Sequence, residues 1–72
     1  MIKELDTVVL TVDKPLQRLK KGDVGTVVLT HDRQGFEVEF VTLDGETLAV
    51  VSVTADEVRP VARREIAHAR RV

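Results

Sequence analysis

The fold of this chain is decided by residues 36–53, whose sequence is FEVEFVTLDGETLAVVSV. Two segments rich in β-branched and aromatic residues flank Asp44-Gly45, a dipeptide that favours a two-residue type I′ turn. The pattern therefore predicts a β-hairpin with strands at 36–43 and 46–53. Counting outward from the turn predicts cross-strand pairs that run from Leu43 with Glu46 to Phe36 with Val53.

Side chains alternate between the two faces of this hairpin. One face is almost continuously apolar and is predicted to line the core: Phe36, Val38, Phe40, Thr42, Thr47, Ala49, Val51 and Val53. The opposite face carries two acids and, towards the turn, four aliphatic side chains, which together are the candidate partner-binding residues: Glu37, Glu39, Val41, Leu43, Leu48 and Val50. Three explanations for the aliphatic ones stay open: coiling or a bulge turns them inward, the C-terminal tail covers them, or another protein covers them.

Three further strands are predicted outside the hairpin, at 6–12, at 25–30 and, as a short closing edge, at 59–61. Between the first two lies a polar loop of about ten residues, in which Leu16 and Leu19 are expected to pin one turn onto the core. The expected fold is all-β, a small five-stranded barrel over residues 1–61.

Turn and cap residues join these strands. Gly22 is expected to adopt a positive φ, and Gly25 to let another strand pass close by. Gly35 is expected to supply the left-handed position of a hairpin loop at 31–35. Thr54 and Glu57 have the spacing of a capping box and predict one helical turn before the last strand.

Charge is unevenly distributed along the chain. The whole sequence has a net charge of −1, but residues 1–60 hold seven Lys/Arg and eleven Asp/Glu, a net −4, and residues 61–72 hold four Arg and one Glu, a net +3. Ala62, Ile66 and Ala69 share one helical stripe, so residues 62–72 are predicted to form a basic tail that is either a marginal helix or frayed.

The segments 19–28, 37–40 and 56–61 resemble KOW and related SH3-like barrels, in which a Gly-Asp corner feeds a Gly-x-Val strand. The longer string from Ile2 to Val61 resembles a family of small bacterial proteins catalogued as domain of unknown function 4926. The resemblance implies a small SH3-like barrel over about residues 2–61, and the tail at 62–72 lies outside the shared pattern. It implies no reaction, cofactor or catalytic residue.

Several chemistries are not supported by the composition. Cysteine is absent and Ser52 is the only serine, so a nucleophilic site is not expected. His31 and His68 lack metal-ligand spacing, and Gly22-Asp23-Val24-Gly25 lacks the lysine of a phosphate loop. We therefore expect no enzyme activity, no metal and no cofactor. The longest apolar run is four residues, 48–51, which predicts a cytoplasmic protein without a membrane segment.

Two functions follow as hypotheses. The first is a protein–protein interaction module that self-associates or binds a basic partner such as a toxin ribonuclease, as an antitoxin-like or immunity-like protein would. In the second case it would use an acidic strip formed by Glu37, Glu39, Asp44 and Glu46. The alternative is a KOW-like nucleic-acid-binding module that uses basic side chains of the first loop and the tail: Lys14, Arg18, Lys20, Lys21, Arg63 and Arg64.

Overall fold

The computed structural model describes residues 1–32 and 34–72. Five β-strands account for its regular structure: β1 (Thr7–Leu10), β2 (Val24–His31), β3 (Gly35–Val41), β4 (Thr47–Thr54) and β5 (Val58–Pro60). Two short 3₁₀ turns, Pro15–Gln17 and Ala55–Glu57, are the helical segments of the described chain. The predicted all-β fold of five strands is confirmed.

All five strands belong to one antiparallel sheet with the order β4-β3-β2-β1-β5. Consecutive strands pair from β1 to β4, and the chain then returns to place β5 beside β1. This order is compatible with the expected SH3-like barrel. It leaves β4 and β5 as the two edge strands.

The core is built from one face of each strand. Its buried members are Val8, Leu10, Leu19, Val27, Phe36, Val38, Phe40, Val51, Val53 and Val58. Leu19 brings the first loop onto this cluster as predicted, and it is only 2% exposed. The same prediction for Leu16 is wrong, since that side chain points into solvent from the 3₁₀ turn.

The hairpin keeps the predicted register over most of its length. Phe36 pairs with Val53, and the same register continues to Phe40 with Ala49. The next pair is Val41 with Thr47, which leaves Leu48 as an extra residue in a β-bulge. The three predicted pairs nearest the turn are therefore wrong.

The turn explains that shift. Gly45 N–H donates to the carbonyl of Thr42 (2.9 Å), and Thr42 N–H donates to the carbonyl of Glu46 (2.7 Å). With Gly45 at φ +99°, these bonds form a three-residue loop in which a left-handed glycine follows a type I turn. The Thr42 hydroxyl accepts a further bond from Glu46 N–H (2.9 Å). Asp-Gly suits this loop as well as the predicted type I′ turn.

Two of the three glycine predictions are confirmed. Gly22 has φ +98°, and a Cβ on Gly25 would lie 2.6 Å from Val38 Cγ1, so only glycine permits that approach. The prediction for Gly35 is wrong, because the positive φ in its loop belongs to Asp32 (+47°). Gly35 instead lies against the backbone of β4. Arg33, part of the predicted loop, lies outside the described residues.

The segment after β4 follows the sequence prediction, and the tail follows the non-helical one of its two predicted alternatives. Thr54 N–H donates to Glu57 Oε1 (2.9 Å) at the start of the Ala55–Glu57 turn. No helix forms over residues 61–72, and Ile66 is 95% exposed. The helical alternative for the tail is wrong, since a short helix is unstable without a surface against which its apolar stripe can pack.

Candidate protein-interaction surface

The outer face of the sheet is the side of β2, β3 and β4 opposite the core. Two rows of side chains cross it from β2 to β4: Thr26, Glu39 and Val50 form the first row, and Leu29, Glu37 and Ser52 form the second. Because β3 lies between the other two strands, its glutamates lie in the middle of this face. The sequence therefore placed both acids correctly.

Three of the four predicted outer aliphatic residues are exposed. Val41 is 45% exposed, Leu43 90% and Val50 55%. These three form the exposed hairpin group. Leu48 is only partly exposed and packs against the core, because the bulge turns it inward together with Ala49. The prediction that Leu48 belongs to the outer face is wrong.

Sequence reasoning missed one contribution from β2. Leu29 is 47% exposed and lies beside Glu37 on the outer face. Val28 is the extra residue of a second bulge and is 40% exposed. The signal was present in the sequence, since three consecutive apolar residues, Val27 to Leu29, cannot all face one side of a strand.

The two glutamates of β3 are held by hydrogen bonds to side chains of the neighbouring strands β2 and β4. Glu37 Oε2 accepts bonds from the Ser52 hydroxyl and, at 2.6 Å, pairs with His31 Nε2. The Ser52 bond first and the His31 bond second lower the pKa of Glu37 below its usual value. Glu39 Oε2 accepts a bond from the Thr47 hydroxyl (2.7 Å). Both carboxylates are therefore held by neighbouring side chains.

This cluster contains the only serine of the chain and one of its two histidines, but its connectivity is not that of a nucleophilic triad. In a triad the imidazole stands between the hydroxyl and the carboxylate, where it can take the hydroxyl proton. Here the carboxylate of Glu37 stands between Ser52 and His31. The Ser52 hydroxyl therefore donates to the Glu37 carboxylate rather than to the imidazole of His31, so the arrangement orders side chains on this face.

The residues of the nucleic-acid alternative are partly neutralised. Lys14 Nζ lies 3.0 Å from Glu57 Oε1. Asp13 and Asp23 accept the backbone N–H groups of Lys21 and Lys20, both at 2.8 Å, so carboxylates stand inside the basic loop. The remaining predicted residues, Arg18, Arg63 and Arg64, are exposed.

The C-terminal tail folds back onto the first loop. Arg70 forms a two-pronged ion pair with Asp23, with Nε 2.8 Å from Oδ1, and also donates to the carbonyl of Arg18 (2.9 Å). Burial raises the pKa of Asp23, but the bonds from Arg70 and from Lys20 N–H outweigh it and lower the pKa overall. These contacts lie on the loop between β1 and β2, so the tail is not what covers the hairpin.

The root of the tail has a second ion pair. Arg59 donates two bonds to Glu65, at 2.7 and 2.8 Å, and Glu65 also accepts the N–H of Ala62. The Arg59 bonds, followed by the Ala62 bond, lower the pKa of Glu65 to about 2. Arg63 and Arg64 are thereby held in a turn just after β5.

No cluster of potential metal ligands occurs in residues 1–32 and 34–72. Within the same ranges, no helix has the length and hydropathy needed to cross a membrane.

The fold and this face define a small all-β domain whose strand order is compatible with an SH3-like barrel and whose hairpin exposes three aliphatic side chains. Residues 4–60 match the model of the family described as Domain of unknown function (DUF4926). The match covers more than half of the chain, so the chain belongs to this family, as the resemblance predicted. No curated protein matches the chain, and no solved structure matches it.

Proposed function

We propose that the chain is a non-enzymatic protein–protein interaction module that binds through the outer face of the β3–β4 hairpin and the adjoining edge strand β4. The observation that carries this proposal is the exposure of Val41, Leu43 and Val50 after the bulge has moved Leu48 inward. The C-terminal tail does not cover these side chains, because Arg70 binds it to the first loop.

The free energies of side-chain burial and of association explain why the proposal combines the exposed hairpin group with the edge strand β4. Complete burial of a Val or Leu side chain stabilises a complex by about 1.5–3 kcal/mol, and Val41 and Val50 are already about half buried. Association costs an estimated 4–15 kcal/mol in lost rigid-body freedom. Three such side chains do not cover the upper part of that range, so main-chain hydrogen bonds along β4 are an additional source of stability.

A second copy of the chain is the partner that we favour over a basic heterologous protein. An antitoxin-like or immunity-like role would use the acidic strip against cationic side chains of a toxin. In this chain the Glu37 carboxylate is already engaged by Ser52 and His31, and Glu39 by Thr47. These bonds already occupy one oxygen of each carboxylate, so a basic partner would gain less there than at carboxylates without partners, whereas an apolar contact of the exposed hairpin group competes with no such bond.

The native mass of the chain tests this proposal directly. We expect the wild-type chain to associate, and Val50→Glu to lose that association while keeping its fold. Val61→Glu is the matched control, because Val61 has a comparable exposure (45% against 55%) and lies outside the hairpin. Association that survives Val50→Glu, or that is lost equally in Val61→Glu, would contradict the use of this surface.

The nucleic-acid module is retained as a second candidate because one contact favours it. Arg70 ties the basic tail to the first loop, beside Lys20 and Arg18, so two separate basic segments meet on one side of the molecule. Phosphate contacts would make binding strongly dependent on salt. Against it, both phenylalanines are buried, which leaves no aromatic surface on which a base could stack.

Binding of single- and double-stranded DNA and RNA at two salt concentrations tests the second candidate. We expect Lys20→Gln combined with Lys21→Gln to weaken binding and to flatten its salt dependence if the loop contacts phosphates. Unchanged affinity in this double variant would exclude the loop as the binding surface.

A further inference from the structure

The two edges of the sheet differ in the features that prevent edge pairing. Strand β5 has three residues, two of which are Arg59 and Pro60, and both a charge and a proline discourage the addition of another strand. Strand β4 has eight residues, TLAVVSVT, without charge, proline or glycine. Among the described residues, no strand pairs with the outer side of β4. Only β4 is therefore suited to accept another strand.

The alternation of hydrogen-bonded pairs between β3 and β4 shows which backbone groups of β4 are not used in the ladder with β3. Ala55 N–H donates to the carbonyl of Gln34 (3.0 Å), which continues the ladder beyond the last pair. Bonded and non-bonded pairs alternate in an antiparallel ladder, so Val50 opposite Glu39 and Ser52 opposite Glu37 are non-bonded pairs. The N–H and C=O groups of Val50 and Ser52 consequently point away from β3, towards the open edge.

We infer that β4 pairs with β4 of a second copy, antiparallel about a two-fold axis near residues 50–52, to form a continuous ten-stranded sheet. This inference rests on the proposed function and names its partner and its geometry. The hydrogen bonds come from the free groups of Val50 and Ser52, and the Val50 side chains of the two copies come together on the outer face.

A second copy fits this edge because the strand is compatible with itself. In an antiparallel pair related by a two-fold axis, each strand lies beside a second strand of the same sequence. A charge on the edge strand would therefore lie opposite or near the same charge on the other copy. Strand β4 carries none. The nearest outer-face acids, Glu37 and Glu39, lie on β3, so three strand spacings of about 4.8 Å separate them from their copies. That separation of about 14 Å exceeds the Debye length of about 8 Å at physiological salt.

A matched pair of lysine variants tests the inference. Val50→Lys and Thr26→Lys both add one positive charge to the outer face, and both residues pair directly with Glu39, from opposite sides. Only Val50 lies on the edge strand. We expect the wild-type chain and Thr26→Lys to have twice the chain mass of 8.0 kDa, and Val50→Lys to have the single mass.

The other outcomes separate this inference from the proposed function. Dissociation by both variants would overturn edge pairing and leave an interface spread across the whole face. Association in both variants would overturn edge pairing as well. A monomeric wild-type chain also overturns it, while capture of a defined partner that Val50→Glu abolishes would leave the proposed function standing.

Cysteine cross-linking gives an independent test, because the chain has no cysteine of its own. Pairing centred on Val50 predicts that Val50→Cys forms a disulfide with its own copy. Pairing centred on Val51 predicts a cross-link between Val50→Cys and Ser52→Cys chains when the two are mixed. Leu29→Cys, two strands away from the edge, is the control that should stay reduced. Cross-linking of Leu29→Cys alone, or of none of the three, would overturn the inference.

Discussion

The two faces of the β3–β4 hairpin are both apolar, yet they have opposite fates. On the inner face, Phe36, Val38 and Phe40 are at most 7% exposed, and across from them Val51 and Val53 are similarly buried. On the outer face, Val41 and Val50 remain about half exposed beside two ordered glutamates. Hydrophobicity alone therefore does not decide which face becomes the core of a small domain.

Local backbone geometry decides it instead. Up to Phe40 and Ala49 the strict alternation of the strands separates the two faces. The bulge at Leu48 then breaks the alternation and transfers one aliphatic side chain from the outer to the inner face. Three of the four predicted outer aliphatic residues stay outside, so aliphatic side chains line both the core face and the exposed face of this hairpin.

The largest expected effect tests the inner face. Phe40 is 3% exposed and lies over Gly25. Phe40→Ala therefore leaves a cavity that the neighbouring core side chains can fill only in part. We expect a loss of about 3–5 kcal/mol in the free energy of unfolding, measured by urea denaturation. The outer-face control Val50→Ala, a smaller truncation at a half-exposed site, is expected to cost less than 1 kcal/mol. Equal losses would mean that the two faces are equally buried in solution.

The next effect tests the residue that changed faces. Leu48→Glu places a carboxylate against the core and is expected to destabilise the chain by about 2–4 kcal/mol. Val41→Glu introduces the same group at an exposed position, and we expect it to change stability by less than about 0.5 kcal/mol. Equally small effects in urea denaturation would show that Leu48 is on the outer face and that the bulge is absent.

How much of this arrangement the sequence could predict is clear from the hairpin itself. The reversal at Asp44-Gly45, the five pairs from Phe36 with Val53 to Phe40 with Ala49, and the outward position of both glutamates all follow from alternation and one turn signal. The bulge did not, because Asp-Gly serves both a two-residue loop and the three-residue loop that is present. A single additional loop residue is enough to displace Leu48.

The remaining errors have a common physical cause. The expectations of a left-handed Gly35 and of a helical tail rest on local preference alone. The structures of both segments depend on contacts distant in sequence. Gly35 is required by the close approach of the β4 backbone, and Arg70 reaches Asp23 across 47 residues. The exposure of Leu29 also depended on a bulge. Long-range contacts of this kind leave no periodic signal in one sequence.

A smaller effect tests the turn that sets the register of both faces. Gly45 has φ +99°, a conformation that side-chain-bearing residues adopt only with strain. We expect Gly45→Ala to cost about 1–2 kcal/mol in urea denaturation. Asp44→Ala, which leaves the glycine in place, is the control and is expected to cost less. A Gly45→Ala variant as stable as the wild type would show that the loop can adopt another conformation without loss.

The smallest expected effect concerns the acidic strip, which distinguishes the outer face from the inner one. Because the pKa of Glu37 is lowered in the folded chain, its ionised form favours folding at pH values above the unfolded pKa. That contribution is lost as the pH falls through the folded pKa. We expect Ser52→Ala to raise the Glu37 pKa towards its ordinary value, as followed by carboxyl-carbon NMR titration between about pH 2 and 7.

Ser52→Thr is the matched variant for that titration, since it keeps the hydroxyl that donates to Glu37 and suits a β-strand. It should preserve the lowered pKa. An unchanged Glu37 titration in Ser52→Ala would mean that His31 alone holds the carboxylate. Glu37 would then be held only from β2, through His31, and Ser52 on the edge strand would contribute nothing to it.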